Sequence, residues 1–154
     1  MNEAPEVLKS RAKHAGLLFF VWMLSGLFGL MYIPAQINTS GEAAAVVQNI
    51  LSRELLFRIG ILNGLVSAAL WVILVLLLYR LFKAADEYYA KLLVAFVLVQ
   101  IPVSLMMDAL RIASLMIFKG KVLTAFDVAQ QQDLALAFLK TTGYGTMVLE
   151  TFWG

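Results

Sequence analysis

The chain has 154 residues, of which 62% are hydrophobic and 14% charged, and its mean hydropathy is +0.85. Ordinary soluble domains are about 45–50% apolar and about 25% charged, so this composition excludes a water-soluble globule of such small size and makes lipid the solvent. A formal charge of +2, dispersed along the sequence, gives no footing for nucleic acid, and the absence of Cys excludes disulfides and thiolate metal sites.

A bilayer span needs about 20 mostly apolar residues. The first such segment runs from Ala15 to Ile37 without a charged residue, behind a basic flank of Lys9, Arg11 and Lys13. It is too long for a signal-peptide core and ends without an A-x-A-like site, so it reads as a retained helix. The linker NTSGEAAAVVQNILSRELLFR follows. Thr39 and Glu42 have capping-box spacing, and Val46, Val47, Ile50, Leu51 and Leu55 recur at helical period. The linker is therefore expected to carry an amphipathic helix over 42–55, lying at the interface or on the mouth of the bundle.

The second span, 59–79, contains the run LWVILVLLLY. Gly60 and Gly64 form a G-x-x-x-G pattern there, extended by Ala68, and small residues of this kind let helices approach closely in lipid. Intramolecular packing is the preferred reading, with a second copy of the chain as the other partner. Gly26 and Gly29 offer span one a similar small face. A short charged turn, RLFKAADEYYAK, places Tyr88 and Tyr89 for the aromatic belt. The third span, 92–118, contains Pro102, which removes one backbone donor and is expected to bend it. The loop KGKVLTAFDVAQQQD, with room for a short amphipathic helix, leads to a fourth span over 134–154.

These segments describe an all-α polytopic transmembrane helical bundle in one domain. Lys9, Arg11 and Lys13 share one side with Arg80, Lys83 and Lys91, against Arg53, Arg58, Lys119 and Lys121 on the other. The positive-inside rule then puts the N-terminus in the cytoplasm. Basic residues beside the spans also make membrane lipids, anionic ones in particular, the expected partners.

Charges at membrane depth need a partner, water or a function. Asp108 and Arg111 are three residues apart on one helix, within reach of each other. They lie about 24 Å and about 28 Å below Leu92 at the helical rise, where Arg can snorkel to the interface. The plainer reading is a structural ion pair near a helix end. The sharper one is a charged wall of a hydrated cavity, because Asn63 and Lys140 fall in the same outer half of the bilayer.

Other possible sites are poorer. His14 is the single histidine and lies in a basic flank, which makes a transition-metal site or other cofactor unexpected. No phosphate-binding loop, H-E-x-x-H or G-x-S-x-G motif occurs, and no catalytic residue is assigned. Glu150 in the fourth stretch reads either as a proton carrier or as a stranded charge, and Asn38-Thr39-Ser40 fits a glycosylation sequon.

The order of these segments resembles the prokaryotic multi-pass family catalogued as domain of unknown function 4386. The resemblance runs from AGLLFFVWMLSGLFGLMYIP through GEAAAVVQNILSRELLFRIGI, LWVILVLLLYRLFK and LVQIPVSLMMDALRIASLMI to LALAFL, GYG and ETFWG. Its most specific part is Tyr32 to Lys83, with YIP, GEAAA and E-LLFRIGI. The resemblance implies about six helices in the bacterial inner membrane and no settled activity. It also implies that Phe152-Trp153-Gly154 lies inside a helix, so that the chain corresponds to the N-terminal two-thirds and lacks C-terminal helices. Lys140, Thr141 and Thr142 stand where relatives often carry a polar or His-containing stretch before GYG.

Three function classes follow. A non-catalytic packing, assembly or stress-related membrane protein is preferred. A small-solute or ion transporter or channel would gather Asp108, Arg111, Asn63 and Lys140 around one cavity. An intramembrane enzyme has the least support.

Overall fold

The computed structural model describes residues 5–151, which form helices and turns with no strand among them. Helix α1 spans Pro5–Leu27 and passes through one π-helical turn, Phe28–Tyr32, into the short α2, Ile33–Gln36. Pro34 supplies a physical cause for the wide turn: it has no amide to donate, and its ring crowds the carbonyl four residues back, so a regular α-turn is disfavoured just before it. Glu6–Gln36 together is long and apolar enough to cross a membrane.

Helix α3, Ala43–Ser52, stops at Arg53, where the backbone turns to φ −122°, ψ 32°. The long α4, Glu54–Phe82, begins at once. The predicted 42–55 helix is therefore shorter. Val46, Val47 and Ile50 form its buried face, but Leu55 is 73% exposed because the break at Arg53 resets the helical phase. The Thr39–Glu42 capping box does not form either. Glu42 is itself the N-cap and makes no side-chain cap bond. Asn38 organises this loop instead, its Oδ1 accepting from the Ser40 amide at 2.8 Å and its carbonyl from Asn49 Nδ2 at 2.8 Å.

Helix α5 runs unbroken from Glu87 to Phe118 with Pro102 inside it. Its first turn is capped by Asp86, which accepts from the amides of Tyr88 and Tyr89. Its C-terminus closes at Gly120, φ +63°, a left-handed geometry that suits a residue without Cβ. There the Lys121 amide donates to Met116 O and the Gly120 amide to Ile117 O, which satisfies two orphan carbonyls.

The loop before α6, Val128–Glu150, holds no separate amphipathic helix. Asp127 and Gln130 form a capping box, so the Gln-rich stretch is already the first turn of α6. Helices α4 and α5 are long and apolar enough to span, whereas α6 is not among the helices that meet this measure within the described residues. Its predicted tail at Phe152, Trp153 and Gly154 lies outside the described residues.

Consecutive long helices pack as antiparallel neighbours, α1 on α4, α4 on α5 and α5 on α6, and α3 lies across α4 and α6. The core gathers at the end opposite the N-terminus, from Ile37, Val46, Ile50, Phe57, Ile61, Leu115, Leu136 and Leu139. Burying apolar side chains there secures the mouth of the bundle, where removing them from water is favourable.

Candidate functional site

The polar groups within the spans lie along the helix interfaces. On α4, Asn63 and Gly64 sit about 15 Å along the helix from Glu54. The Asn63 side chain reaches α1, accepting from Ser25 Oγ at 2.9 Å and donating from Nδ2 to the Ser25 carbonyl at 3.0 Å. One amide thus satisfies both a hydroxyl and a backbone oxygen on the neighbouring helix. Gly29 makes room for it: a Cβ there would stand 2.8 Å from Asn63 Nδ2. Gly29 belongs to the π-helical turn, so the widened backbone and the inserted amide occupy the same stretch. Gly26, by contrast, has open space beside it.

The next residue along α4 serves α5. Gly64 forms a notch filled by the Asp108 carboxylate, and a Cβ at Gly64 would lie 2.5 Å and 2.8 Å from its two oxygens. Asp108 is 2% exposed, and its Oδ1 accepts from Arg111 Nη1 at 2.7 Å. The Arg111 side chain keeps 30% exposure, so it extends from the buried pair toward the surface, as a long amphipathic side chain can. The first glycine of the motif, Gly60, packs on Ile33 of α2, where a Cβ would lie 3.3 Å from Ile33 Cγ2. Both glycines therefore face helices of the same chain.

Between α5 and α6 the link is Ser114, fully buried. Its hydroxyl lies 3.0 Å from Ala135 O on α6 and 2.8 Å from Leu110 O on its own helix. Gly145 adds a close approach, with Met107 Sδ 2.8 Å from where a Cβ would be. Trp22 and Trp71 stack between α1 and α4 at 4.3 Å, and among the described residues Trp71 Nε1 is the buried side-chain polar atom left without a partner.

Lys140 does not join this set. The buried stripe of α6 is Ala135, Leu136, Leu139, Thr142 and Leu149. A residue next to Leu139 is rotated about 100° around the helix, off that stripe, and Lys140 is exposed. Asn63 and Asp108 do come to neighbouring positions, but each is committed to a different helix. Glu150 is also exposed, and His14 bonds the Ser10 carbonyl within its own helix.

A cluster that sequence reading did not anticipate lies at the bundle mouth. Glu54 accepts from Arg58 one turn along and from Lys119 at the end of α5, with Lys119 Nζ at 2.8 Å and 3.0 Å from its two oxygens. Glu54 and Arg58 were legible as a helical i,i+4 pair. Lys119, 65 residues away, was not. Arg53 ties the same end together by donating to the carbonyl and side chain of Gln36.

A family model described as a domain of unknown function (DUF4386) matches residues 14–154. The chain belongs to the DUF4386 family. The match takes in all the interhelical residues described above, from Trp22 to Gly145. Helical composition and three apolar helices of spanning length accord with a membrane protein of this family. No curated protein and no solved structure matches the chain.

Proposed function

We propose that this DUF4386 chain is a non-catalytic membrane protein of packing and assembly, set in the bacterial inner membrane with its N-terminus in the cytoplasm. The observation that carries the reading is how the intramembrane polar groups are used. Ser25 with Asn63, Asp108 with Arg111 in the Gly64 notch, and Ser114 with Ala135 O join α1, α4, α5 and α6 in series. Lipid offers no hydrophobic drive between helices, so close backbone approach and interhelical hydrogen bonds hold such a bundle together. A transport pathway would need those groups turned to a common hydrated wall; here Asn63 and Ser114 bond neighbouring helices, Asp108 sits against Gly64 and pairs with Arg111 of its own helix, and Lys140 is exposed. The cytoplasmic N-terminus is supported by Lys9, Arg11, Lys13, Arg80, Lys83 and Lys91 at one end of the bundle.

The test is reconstitution of the full chain in liposomes, with proton and monovalent-cation flux followed by entrapped dyes, beside unfolding of Asn63→Leu and Asp108→Asn in mixed micelles. The packing reading expects flux at the level of protein-free liposomes and lower unfolding midpoints for both variants. Flux that Asp108→Asn abolishes would overturn it in favour of an ion carrier.

A further inference from the structure

At the end of the molecule away from the bundle mouth, α1 and α4 part and leave an open groove of about 580 Å³. Leu8, Ala12, Gly16 and Phe19 of α1 line it with Leu78 and Phe82 of α4. The lining is almost wholly apolar, and its charged member is Lys9. The hollow has a local cause. Ala12, Ala15 and Gly16 place three small side chains on one stretch of α1, and a Cβ at Gly16 would meet nothing within 4 Å. Closer to the mouth the same two helices are drawn together by the Trp22–Trp71 stack and the Ser25–Asn63 bonds.

We propose that this groove holds one anionic phospholipid, with an acyl chain between α1 and α4 and the phosphate against Lys9. The charges at this end favour that occupant. Lys13 lies one turn beyond Lys9 on α1, while Arg80 is on the last turn of α4 and Lys83 caps it just after Phe82. Of the nearby acids, Glu6 is on the first turn of α1, Asp86 caps α5, and Glu87 pairs with Lys91 at 3.0 Å. An apolar groove with one lysine in its lining, within the usual size of a ligand pocket, matches a chain joined to a phosphate. The inference extends the membrane setting of the chain and does not depend on whether it moves a solute.

The experiment uses the full chain, delipidated in detergent, with equal phosphatidylglycerol and phosphatidylcholine of the same acyl chains, read by native mass spectrometry. The expected result is one phosphatidylglycerol per chain, retained about fivefold or more over phosphatidylcholine. Gly16→Trp, which grows into open space, should abolish that adduct, whereas Gly143→Trp, also facing open space, should leave it. Lys9→Gln should lower the preference about fivefold. Equal retention of the two lipids by the wild-type chain, or an adduct that survives Gly16→Trp, would overturn the assignment. A photoactivatable phosphatidylglycerol gives a readout independent of any variant. Labelling concentrated on residues 8–19 and 78–82 supports the groove, and labelling spread evenly over the spans refutes it.

Discussion

Replacing Gly64 by Ala tests the notch between α4 and α5 with a single methyl group. The added carbon would stand 2.5 Å, 2.8 Å and 3.0 Å from Oδ2, Oδ1 and Cγ of Asp108, against an ordinary contact of 3.4–4 Å. Relief therefore needs a displacement of about 1 Å. The carboxylate has little freedom to provide it, because it is 2% exposed and bonded to Arg111 at 2.7 Å. Either the helices separate or the ion pair opens. Overpacking of this kind costs about 1–3 kcal/mol, and the intrinsic preference of helices for Ala over Gly offsets about 1 kcal/mol at most. The assay is reversible unfolding in mixed micelles, run as a cycle with Asp108→Ala. With the carboxylate gone the notch is vacant, so Gly64→Ala should become neutral or stabilising in that background, a coupling of about 1–3 kcal/mol. Gly143→Ala, which faces open space, serves as the control and should not destabilise. Equal destabilisation by Gly64→Ala with and without Asp108 would refute the notch.

Further outcomes follow from the other contacts. Asn63→Leu removes both bonds to Ser25 and should lower stability by about 0.6–1.7 kcal/mol, from the average to the maximum measured for an interhelical hydrogen bond in membranes, when followed by the same unfolding assay. Asp127→Ala should cost about 1 kcal/mol through loss of the α6 capping box, with earlier exchange of the amides near Gln130 in hydrogen-exchange measurements. Gly120→Ala places a Cβ at φ +63° and should cost about 1–2 kcal/mol, and Gly41→Ala, at φ +116°, should also destabilise although the added carbon meets no atom within 4 Å. Lys140→Gln should leave the unfolding midpoint unchanged, because the side chain is exposed; a large shift would mean that Lys140 has a partner in the folded bundle.

The Glu54 cluster and the Asp108 pair illustrate what a sequence can and cannot convey. Glu54–Arg58 and Asp108–Arg111 are local pairs, three or four residues apart, and helical geometry alone brings them together. Capping-box spacing becomes a cap only where it coincides with a real helix start. Asp127 and Gln130 form the box, whereas Thr39 and Glu42 have the same spacing and do not, because α3 begins after Glu42. The buried stripe of α3 could be read because that helix borders water, where apolar and polar faces differ.

Class and helix content were set by the sequence itself, since hydropathy is a property of a run of residues and needs no partner. Which residues meet was decided only in three dimensions. A span is apolar all round and lipid wets every face equally, so periodicity carries no mark of the side that packs. Nothing in the string of letters could therefore turn Asn63 toward Ser25, seat Asp108 in the Gly64 notch or rotate Lys140 outward. Those choices belong to the relative rotation of the helices, which small residues such as Gly29, Gly60 and Gly64 fix by allowing approach at one azimuth.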